Sequence, residues 1–498
     1  MGGGYIQLSA VGEQNAYLTG NPQITFFKSI YRRHTNFSID LCKQVINGEA
    51  TFNEKFNVII SRYGDLLSNI YVDNVFELKT TAHLKHYKDT GNEPEFKDTY
   101  ISWTNGIGYA ILKEYSVNIG QNTIDTQNGE WLDIYNKLSE NQDNNNPSLS
   151  YRQLIETDNN NIQTLNEKLL SKGNIDSLSG AIIASLHHGT NYIKTRTITP
   201  LKFWFCKYYG LAIPLISLNT LNVTINFEYR KLNELINTNF ENDKLKNKHL
   251  EGTTVTTSIW GEYIFLDSDE RRNFNTNVHE YLIEQVQYIA NTMLPIQING
   301  NVQINLKNFT NCVKALFWVP HMIEYTNVCS KKNSYNNIRY AEKRYPKYHS
   351  IDKAKSFGNN WFNYSIYSQT NNDTINTDNI YLFKCGQLML NNEQRTPQLP
   401  AMYFANTQPI RYFNNVPFSN YIYTYSFAIY PFEHQPSGTC NFSRFDTITL
   451  NLDNLNCNNN NIDNKYEEYG NKSNYLNLYA LSYNILLIHS GTAQLKYL

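Results

Sequence analysis

The sequence predicts an all-β protein with short helices and long loops. Strand-sized segments rich in Val, Ile, Thr, Tyr and Phe follow one another along the 498 residues, and helical periodicity is confined to short pieces. Several segments alternate in polarity, as in Val302, Ile304 and Leu306 against Gln303 and Asn305. Many short strands without regularly alternating helices are typical of sandwiches or barrels, and they exclude a doubly wound parallel sheet.

The predicted elements run through the whole chain. The strands are 37–46, 52–60, 70–78, 110–119, 198–205, 221–227, 256–265, 297–306, 313–319, 421–430, 447–452 and 475–488. The helices are 130–138, 164–170 and 269–281, the last of which opens with acidic residues that suit a helix N-terminus.

Loops and a domain boundary follow from local composition. Asn accounts for about one residue in seven, and it clusters in tracts that cannot bury much apolar area. These tracts are predicted to be loops between strands: 141–146, 159–161, 371–379 and 456–464. Residues 231–252 are mixed in charge and poor in β-formers, so they are the predicted linker between two halves of similar size. The letters themselves show no internal repeat.

Composition narrows the function. The 43 basic and 44 acidic side chains give a net charge of −1, which argues against a nucleic-acid protein. Charged residues make up 17% of the chain, below the roughly 25% of ordinary soluble proteins. Aromatic residues reach 14%, so much of the surface is expected to be buried in contacts with other molecules. No apolar run approaches the roughly 18 residues of a membrane span, and the first residues lack a signal-peptide pattern, which predicts an intracellular product.

The seven cysteines predict reduced, mostly buried thiols, because they are odd in number, widely spaced and contain no C-x-x-C pair. Cys312/Cys329 and Cys440/Cys457 share one spacing, which leaves a repeated disulfide or metal site as an alternative. The lack of closely spaced ligand pairs disfavours that alternative.

Histidine pairs are weak candidates for a metal site. His187 and His188 are adjacent, and adjacent side chains on a strand point to opposite faces, so a solvated loop is favoured over metal ligation. His83 and His86 lie in a polar stretch whose default is an exposed loop.

An acidic group is the other catalytic candidate. Asp267, Asp269 and Glu270 could supply paired carboxylates for glycoside hydrolysis. The favoured interpretation is that they cap the following helix and pair with Arg271 and Arg272. No G-x-S-x-G elbow, P-loop, H-E-x-x-H or complete dinucleotide fingerprint occurs, so the sequence assigns no catalytic, cofactor-binding or metal residue.

One basic stretch, residues 331–355, interleaves Lys and Arg with Tyr. Such a mixture can hold single-stranded nucleic acid or an acidic partner. A solvated loop is the favoured interpretation in a chain that is neutral overall. The N-x-[ST] sequons are no more frequent than chance and carry no signal.

The N-terminal segment is more informative. Residues 20–22 read as a turn, residues 24–31 as a strand, and Arg32, Arg33 and His34 as its cationic end. As a string, GEQNAYLTGNPQITFFKSIYRRHTNF over residues 12–37 resembles the N-terminal signature of the double jelly-roll major capsid proteins of large nucleocytoplasmic DNA viruses. Five further segments resemble the family and occur in the same order as in the family: 200–216, 266–274, 279–286, 425–444 and 479–498. The most specific part is QPSGTCNFSR at 435–444.

The resemblance implies a fold of two tandem eight-stranded antiparallel jelly rolls. Together with the linker it gives an N-terminal assembly arm at 1–24, a first jelly roll at 25–230, a linker at 231–252 and a second jelly roll at 253–498. It implies a structural protein that forms homotrimers of pseudo-hexagonal outline, which build an icosahedral virion shell in the host cytoplasm. The Asn-rich loops fall between the matching segments and depart from the family.

The implied partners are copies of the chain itself, neighbouring capsomers, minor capsid and penton proteins, and internal membrane proteins. Direct contact with nucleic acid is not expected, because a neutral chain does not condense a genome. Three alternatives stay open at this point: a jelly-roll scaffold that shapes a viral membrane, a carbohydrate-binding jelly roll, and an acidic-pair glycosidase.

Overall fold

The computed structural model describes residues 3–80, 101–104, 106–139, 191–238, 250–294, 300–321, 361–362, 364, 381–413, 422–455 and 475–497. By internal contacts the chain divides into two compact units, Met1–Phe37 and Ser38–Leu498. None of the helices in the described residues is long and apolar enough to cross a membrane.

The N-terminal unit contains two short helices, α1 (Gly3–Ser9) and α2 (Glu13–Thr19). The predicted turn is present, with Asn21 in the left-handed region at a φ of 49°. The strand predicted at residues 24–31 is wrong for the monomer, since these residues form neither strand nor helix. A strand needs a neighbouring edge to take up its backbone hydrogen bonds, and letters alone do not show whether one is present.

The first half of the larger unit is a β-sandwich. Its described residues include the helices α3 (Ile107–Ala110) and α4 (Gly129–Ser139). Its strands are β1 (Phe37–Gln44), β2 (Ile46–Asn47), β3 (Lys55–Ile59), β4 (Leu66–Thr80), β5 (Ile101–Trp103), β6 (Leu112–Ile119), β7 (Asn122–Gln127), β8 (Asn191–Pro200), β9 (Ile213–Pro214), β10 (Val223–Tyr229), β11 (Ile236–Thr238) and β12 (Thr254–Leu266).

The second half is another β-sandwich. It contains α5 (Ser268–Thr276), a π-helical segment at Tyr403–Thr407 and α6 (Gln408–Tyr412). Its strands are β13 (His279–Met293), β14 (Val302–Asn305), β15 (Cys312–His321), β16 (Phe383–Leu390), β17 (Glu393–Gln394), β18 (Leu399–Pro400), β19 (Tyr423–Ser426), β20 (Cys440–Asn441), β21 (Ile448–Leu455), β22 (Tyr475–His489) and β23 (Thr492–Leu495).

The two halves share one topology. The first sandwich has sheets in the order β1-β12-β4-β8 and β3-β10-β6-β7, and the second has β13-β22-β15-β19 and β14-β21-β16-β17. Numbered within each half among these strands of the described residues, both orders are 1-8-3-6 and 2-7-4-5. The central pairings β4–β12, β6–β10, β15–β22 and β16–β21 are antiparallel, as in the double-sheet jelly-roll arrangement. The all-β jelly-roll prediction is therefore confirmed, and the chain contains a structural repeat that its letters do not show.

Strand β12 belongs by pairing to the first sandwich. It lies antiparallel to β4 from Thr254 opposite Glu77 to Ile264 opposite Leu66. The sequence boundary at 231–252 assigns this strand to the second jelly roll, whereas its hydrogen bonds join it to the first. The difference arises because composition locates a loop, while the partner of a strand depends on residues far away in the chain.

The helix observed in this region is shorter than the one predicted at residues 269–281. Helix α5 ends at Thr276, and β13 begins at His279. The residues from His279 onwards pair with β22, most of whose residues are buried, and this long-range pairing overrides local helical periodicity. The strand predicted at 198–205 also differs, because β8 ends at Pro200 and a 3₁₀ turn follows at Trp204–Cys206.

Asparagine takes the place of glycine in several turns. Asn391 and Asn392 have φ values of 49° and 65°, and they form the two-residue connection between β16 and β17. Positive φ at both central residues is the geometry of a type I′ hairpin, and Asn tolerates it better than other side chains that carry a Cβ. Part of the Asn excess therefore has a structural role in tight turns.

Candidate assembly site

The junction between the two sandwiches is a continuous apolar core. One cluster of buried side chains contains first-half residues such as Trp131 together with second-half residues such as Phe317 and Tyr479. The ring centroid of Trp131 lies 5.2 Å from that of Phe317 and 5.7 Å from that of Tyr479. Because these contacts cross the junction without a break, the two sandwiches form one block.

A buried ion network lies at the same junction. Glu284 on β13 accepts hydrogen bonds from Lys207 of the first half and from Lys314 on β15, and the Lys207 Nζ–Glu284 Oε2 distance is 2.6 Å. The exposed fractions of the three side chains are 7% for Lys207, 3% for Glu284 and 0% for Lys314. Lys314 also donates to the carbonyl oxygen of Glu433 at 2.8 Å.

The ionised form of Glu284 is held by its two partners. Burial on its own raises the pKa of Glu284, but the charges of Lys207 and Lys314 outweigh burial and bring that pKa below its usual value. Burial opposes the charge of Lys207 as well, yet the attraction of Glu284 raises the pKa of Lys207. Removing Glu284 would leave both buried lysines without this counter-charge, whereas removing one lysine would leave Glu284 paired with the other.

A second polar cluster crosses the junction beside the first. Glu130 on α4 contacts Nε2 of His321 on β15, and it accepts hydrogen bonds of 2.7 Å from Tyr479 and from Asn477 on β22. Burial favours the neutral acid, but His321 and these donors outweigh burial and lower the pKa of Glu130. Both clusters therefore connect side chains of the first sandwich to side chains of the second.

Asp125, within strand β7, is a third buried group at the junction. Its carboxylate accepts hydrogen bonds from the backbone N–H of Val286 at 3.0 Å and from Gln127 Nε2 at 2.7 Å. Burial raises the pKa of Asp125 from 3.8 to about 7, although both hydrogen bonds and the charge of Lys207 act in the opposite direction.

The raised pKa of Asp125 predicts a pH dependence of stability. The unfolded chain releases this proton near pH 3.8 and the folded protein near pH 7. The contribution of Asp125 to the free energy of unfolding is therefore complete below pH 3.8 and lost as the pH rises to 7. Relative to an Asp125→Asn variant, the wild type should lose up to about 4 kcal/mol over this window, measured by urea unfolding. A difference that stays constant or grows with pH contradicts the assignment.

The junction residues were not singled out by the sequence analysis. The available signal was Lys314, a charge in strand β15 directly before the apolar run 315–319. A charge that interrupts a buried strand indicates a buried partner, although the letters do not say which carboxylate it is.

The acidic candidate has a structural role in the described chain. The carboxylate of Asp267 caps α5 and accepts the backbone N–H of Glu270 at 2.9 Å, as the favoured interpretation predicts. Arg271 pairs with Asp65 at 2.8 Å. It therefore anchors α5 to a different part of the chain from the one expected.

Other candidates lie outside the described residues: His83, His86, His187, His188, the basic stretch 331–355, helix 164–170 and the four Asn tracts. The described cysteines, Cys42, Cys206, Cys312, Cys385 and Cys440, are free thiols. No group of three or more His, Cys, Asp and Glu in the described residues is placed to hold a metal ion.

Exposed apolar side chains mark the surfaces available for assembly. In residues 3–36 every side chain that is described is exposed, including Phe26 at 88% and Phe27 at 98%. On the edge strand β1, Phe37, Ile39 and Leu41 occupy one face and are also exposed. Such a concentration of apolar side chains indicates contact with other molecules.

Comparisons with known proteins agree with this architecture. Residues 25–267 match the family model for the major capsid protein N-terminus, and residues 270–494 match the model for the large eukaryotic DNA virus major capsid protein. The chain is 31% identical to the major capsid protein of Pyramimonas orientalis virus and 30% identical to that of Paramecium bursaria Chlorella virus 1, in each case over the full length of both chains.

The chain is also similar in fold to solved structures of viral capsid proteins. The quasi-atomic PBCV-1 virus capsid matches with a TM-score of 0.68 and 26% identity over 95% of this chain and 100% of that chain. The Faustovirus major capsid protein matches in fold with a TM-score of 0.58 and 13% identity over 96% of this chain and 94% of that chain.

Two jelly rolls that share one core define the double jelly-roll class of proteins. The chain belongs to the family of major capsid proteins of large eukaryotic DNA viruses. It is a structural protein of the virion capsid, and it associates with copies of itself.

Proposed function

We propose that the chain forms a homotrimer that serves as a pseudo-hexagonal capsomer of an icosahedral shell. The fused core at the junction is the observation that carries the proposal, because three copies of a rigid block of two similar sandwiches present six similar units around a three-fold axis. Low charge and many aromatic residues support extensive contacts between subunits.

The near-zero net charge supports dense packing of capsomers. Many copies in one shell repel each other strongly when each carries a large charge of one sign, and this chain carries a net charge of −1. The same neutrality supports a role without direct nucleic-acid contact. The proposed partners are therefore proteins: neighbouring capsomers, minor capsid and penton proteins, and internal membrane proteins. We place assembly in the host cytoplasm and propose no enzymatic role.

The proposed domain organisation follows strand pairing. An assembly arm occupies residues 1–24, as the sequence analysis expects, and the first jelly roll extends through the end of β12 at Leu266. The gap between the two matching family models, at residues 268–269, supports the same division. Helix α5 then starts the second jelly roll.

Purified virions distinguish a shell subunit from a discarded scaffold. We expect this chain to be the most abundant protein of mature particles and to occupy pseudo-hexagonal surface units in electron micrographs. A chain that is present on immature particles and absent from mature virions supports the scaffold alternative and contradicts the proposal.

A further inference from the structure

Residues 24–31 have the amino-acid composition of a β-strand, but they form no strand in the monomer. The segment reads ITFFKSIY, and its large apolar side chains are 68–98% exposed: Ile24, Phe26, Phe27, Ile30 and Tyr31. Aromatic and β-branched residues favour a strand once a sheet edge is available. In the monomer the segment is unpaired and contains a turn at residues 26–28, so pairing requires these residues to extend.

Strand β1 offers such an edge. It pairs with β12 on one side and is the end strand of its sheet in the described part of the chain. Its even-numbered residues include the buried Gln44 and the half-buried Cys42, so that face points towards the core, and the odd-numbered residues point outwards. An uncovered edge strand is a template for an added strand.

The segment and β1 match in length and chemistry. Both span eight residues, and a full antiparallel overlap places Lys28 opposite Asp40 and Phe27 opposite Leu41. In this register Phe26 faces Cys42 on the side towards the core. Opposite charges and apolar pairs across two strands stabilise a sheet.

We propose that residues 24–31 of one subunit add as a strand to the open edge of β1 in a second copy of this chain. Pairing with β1 of the same chain requires a reversal of direction, and residues 29–36 contain no turn or bend. The proposal rests on the self-association in the proposed function and names one contact that holds it together.

The symmetry of this contact suits a ring. The donor segment and the acceptor strand are different surfaces, so the contact is heterologous, and repetition around a closed rotation axis satisfies every donor and every acceptor. In a ring of three subunits, each subunit donates one strand and accepts one. No β1 edge is then left unpaired.

A single substitution tests the pairing because the acceptor strand already carries a thiol. Opposed residues in an antiparallel pair have Cα atoms about 4.5–5.5 Å apart, within the range that a disulfide bridges. In the full-length protein, Phe26→Cys should therefore form a disulfide with Cys42 of a second copy under mild oxidation. Phe26 is exposed in the monomer, so the substitution removes no core contact.

Matched variants identify the bond. Phe27→Cys places the thiol on the opposite face and should cross-link far less, and Phe26→Cys with Cys42→Ser should not cross-link at all. Non-reducing gels should show most of the Phe26→Cys protein in covalent dimers and trimers that collapse to monomer on reduction.

Three other results of the cross-linking experiment would contradict the proposal. A fast-migrating monomer that needs Cys42 shows a hairpin within one chain. Equal cross-linking of Phe26→Cys and Phe27→Cys shows a mobile segment, and no cross-link in a protein that is trimeric by native mass shows that other surfaces hold the subunits. If the native protein is monomeric, the proposed function fails together with this contact.

Discussion

Replacing Glu284 with glutamine should destabilise the subunit by about 3–5 kcal/mol, because it leaves two buried lysines, Lys207 and Lys314, without a counter-charge. Glutamine preserves the volume and one acceptor, so the loss reflects charge and not a cavity. Urea unfolding of the purified protein measures the change.

Strand β13 supplies the matched control. Glu280 lies four residues earlier in the same strand and pairs with Lys496 at 3.7 Å, but both side chains are exposed. Glu280→Gln should cost less than about 1 kcal/mol, as exposed ion pairs do. Equal effects of the two substitutions would show that the junction network does not hold the sandwiches together.

Deleting residues 2–20 should impair shell assembly while both sandwiches stay folded and the trimer still forms. The described side chains of this arm are exposed in the subunit, so its removal takes nothing from the core. Its apolar residues, including Tyr5, Ile6 and Leu8, become buried only when the arm orders against another protein, and the buried contacts offset the entropy of ordering.

Sedimentation and particle imaging of the truncated protein test this arm. A full-length control in which Tyr5, Ile6 and Leu8 are replaced by serine separates the role of the apolar side chains from that of arm length. If the truncated chain fails to fold, the arm is part of the core. If it forms normal shells, the arm is dispensable, and either result contradicts its role in assembly.

Local patterns predicted the strands well where one face is buried and the other is not. In β10 the buried positions alternate from Val223 to Tyr229, and its apolar letters alternate with them. The family resemblance then supplied the fold class, which strand pairing in both halves agrees with. Alternation reports the faces of a strand, so it identifies strands without identifying their partners.

The features that the sequence did not predict share one physical cause: each depends on residues that are distant in the chain or that belong to another molecule. Residues 279–281 belong to the predicted helix, but they form the start of strand β13 because β22 lies beside them. Residues 24–31 have strand letters and no edge to join in the monomer. The ion network joins Lys207 to Glu284, 77 residues apart in the chain, and no spacing rule connects them.

The native mass of the purified full-length protein tests the central claim most directly. A stable capsomer has a mass of three times the 57.9 kDa chain, and its extensive apolar interfaces make dissociation slow enough for the trimer to persist at micromolar concentration. Sedimentation or mass photometry should therefore show a trimer that survives dilution. A single species at the mass of one chain under the same conditions would contradict the account.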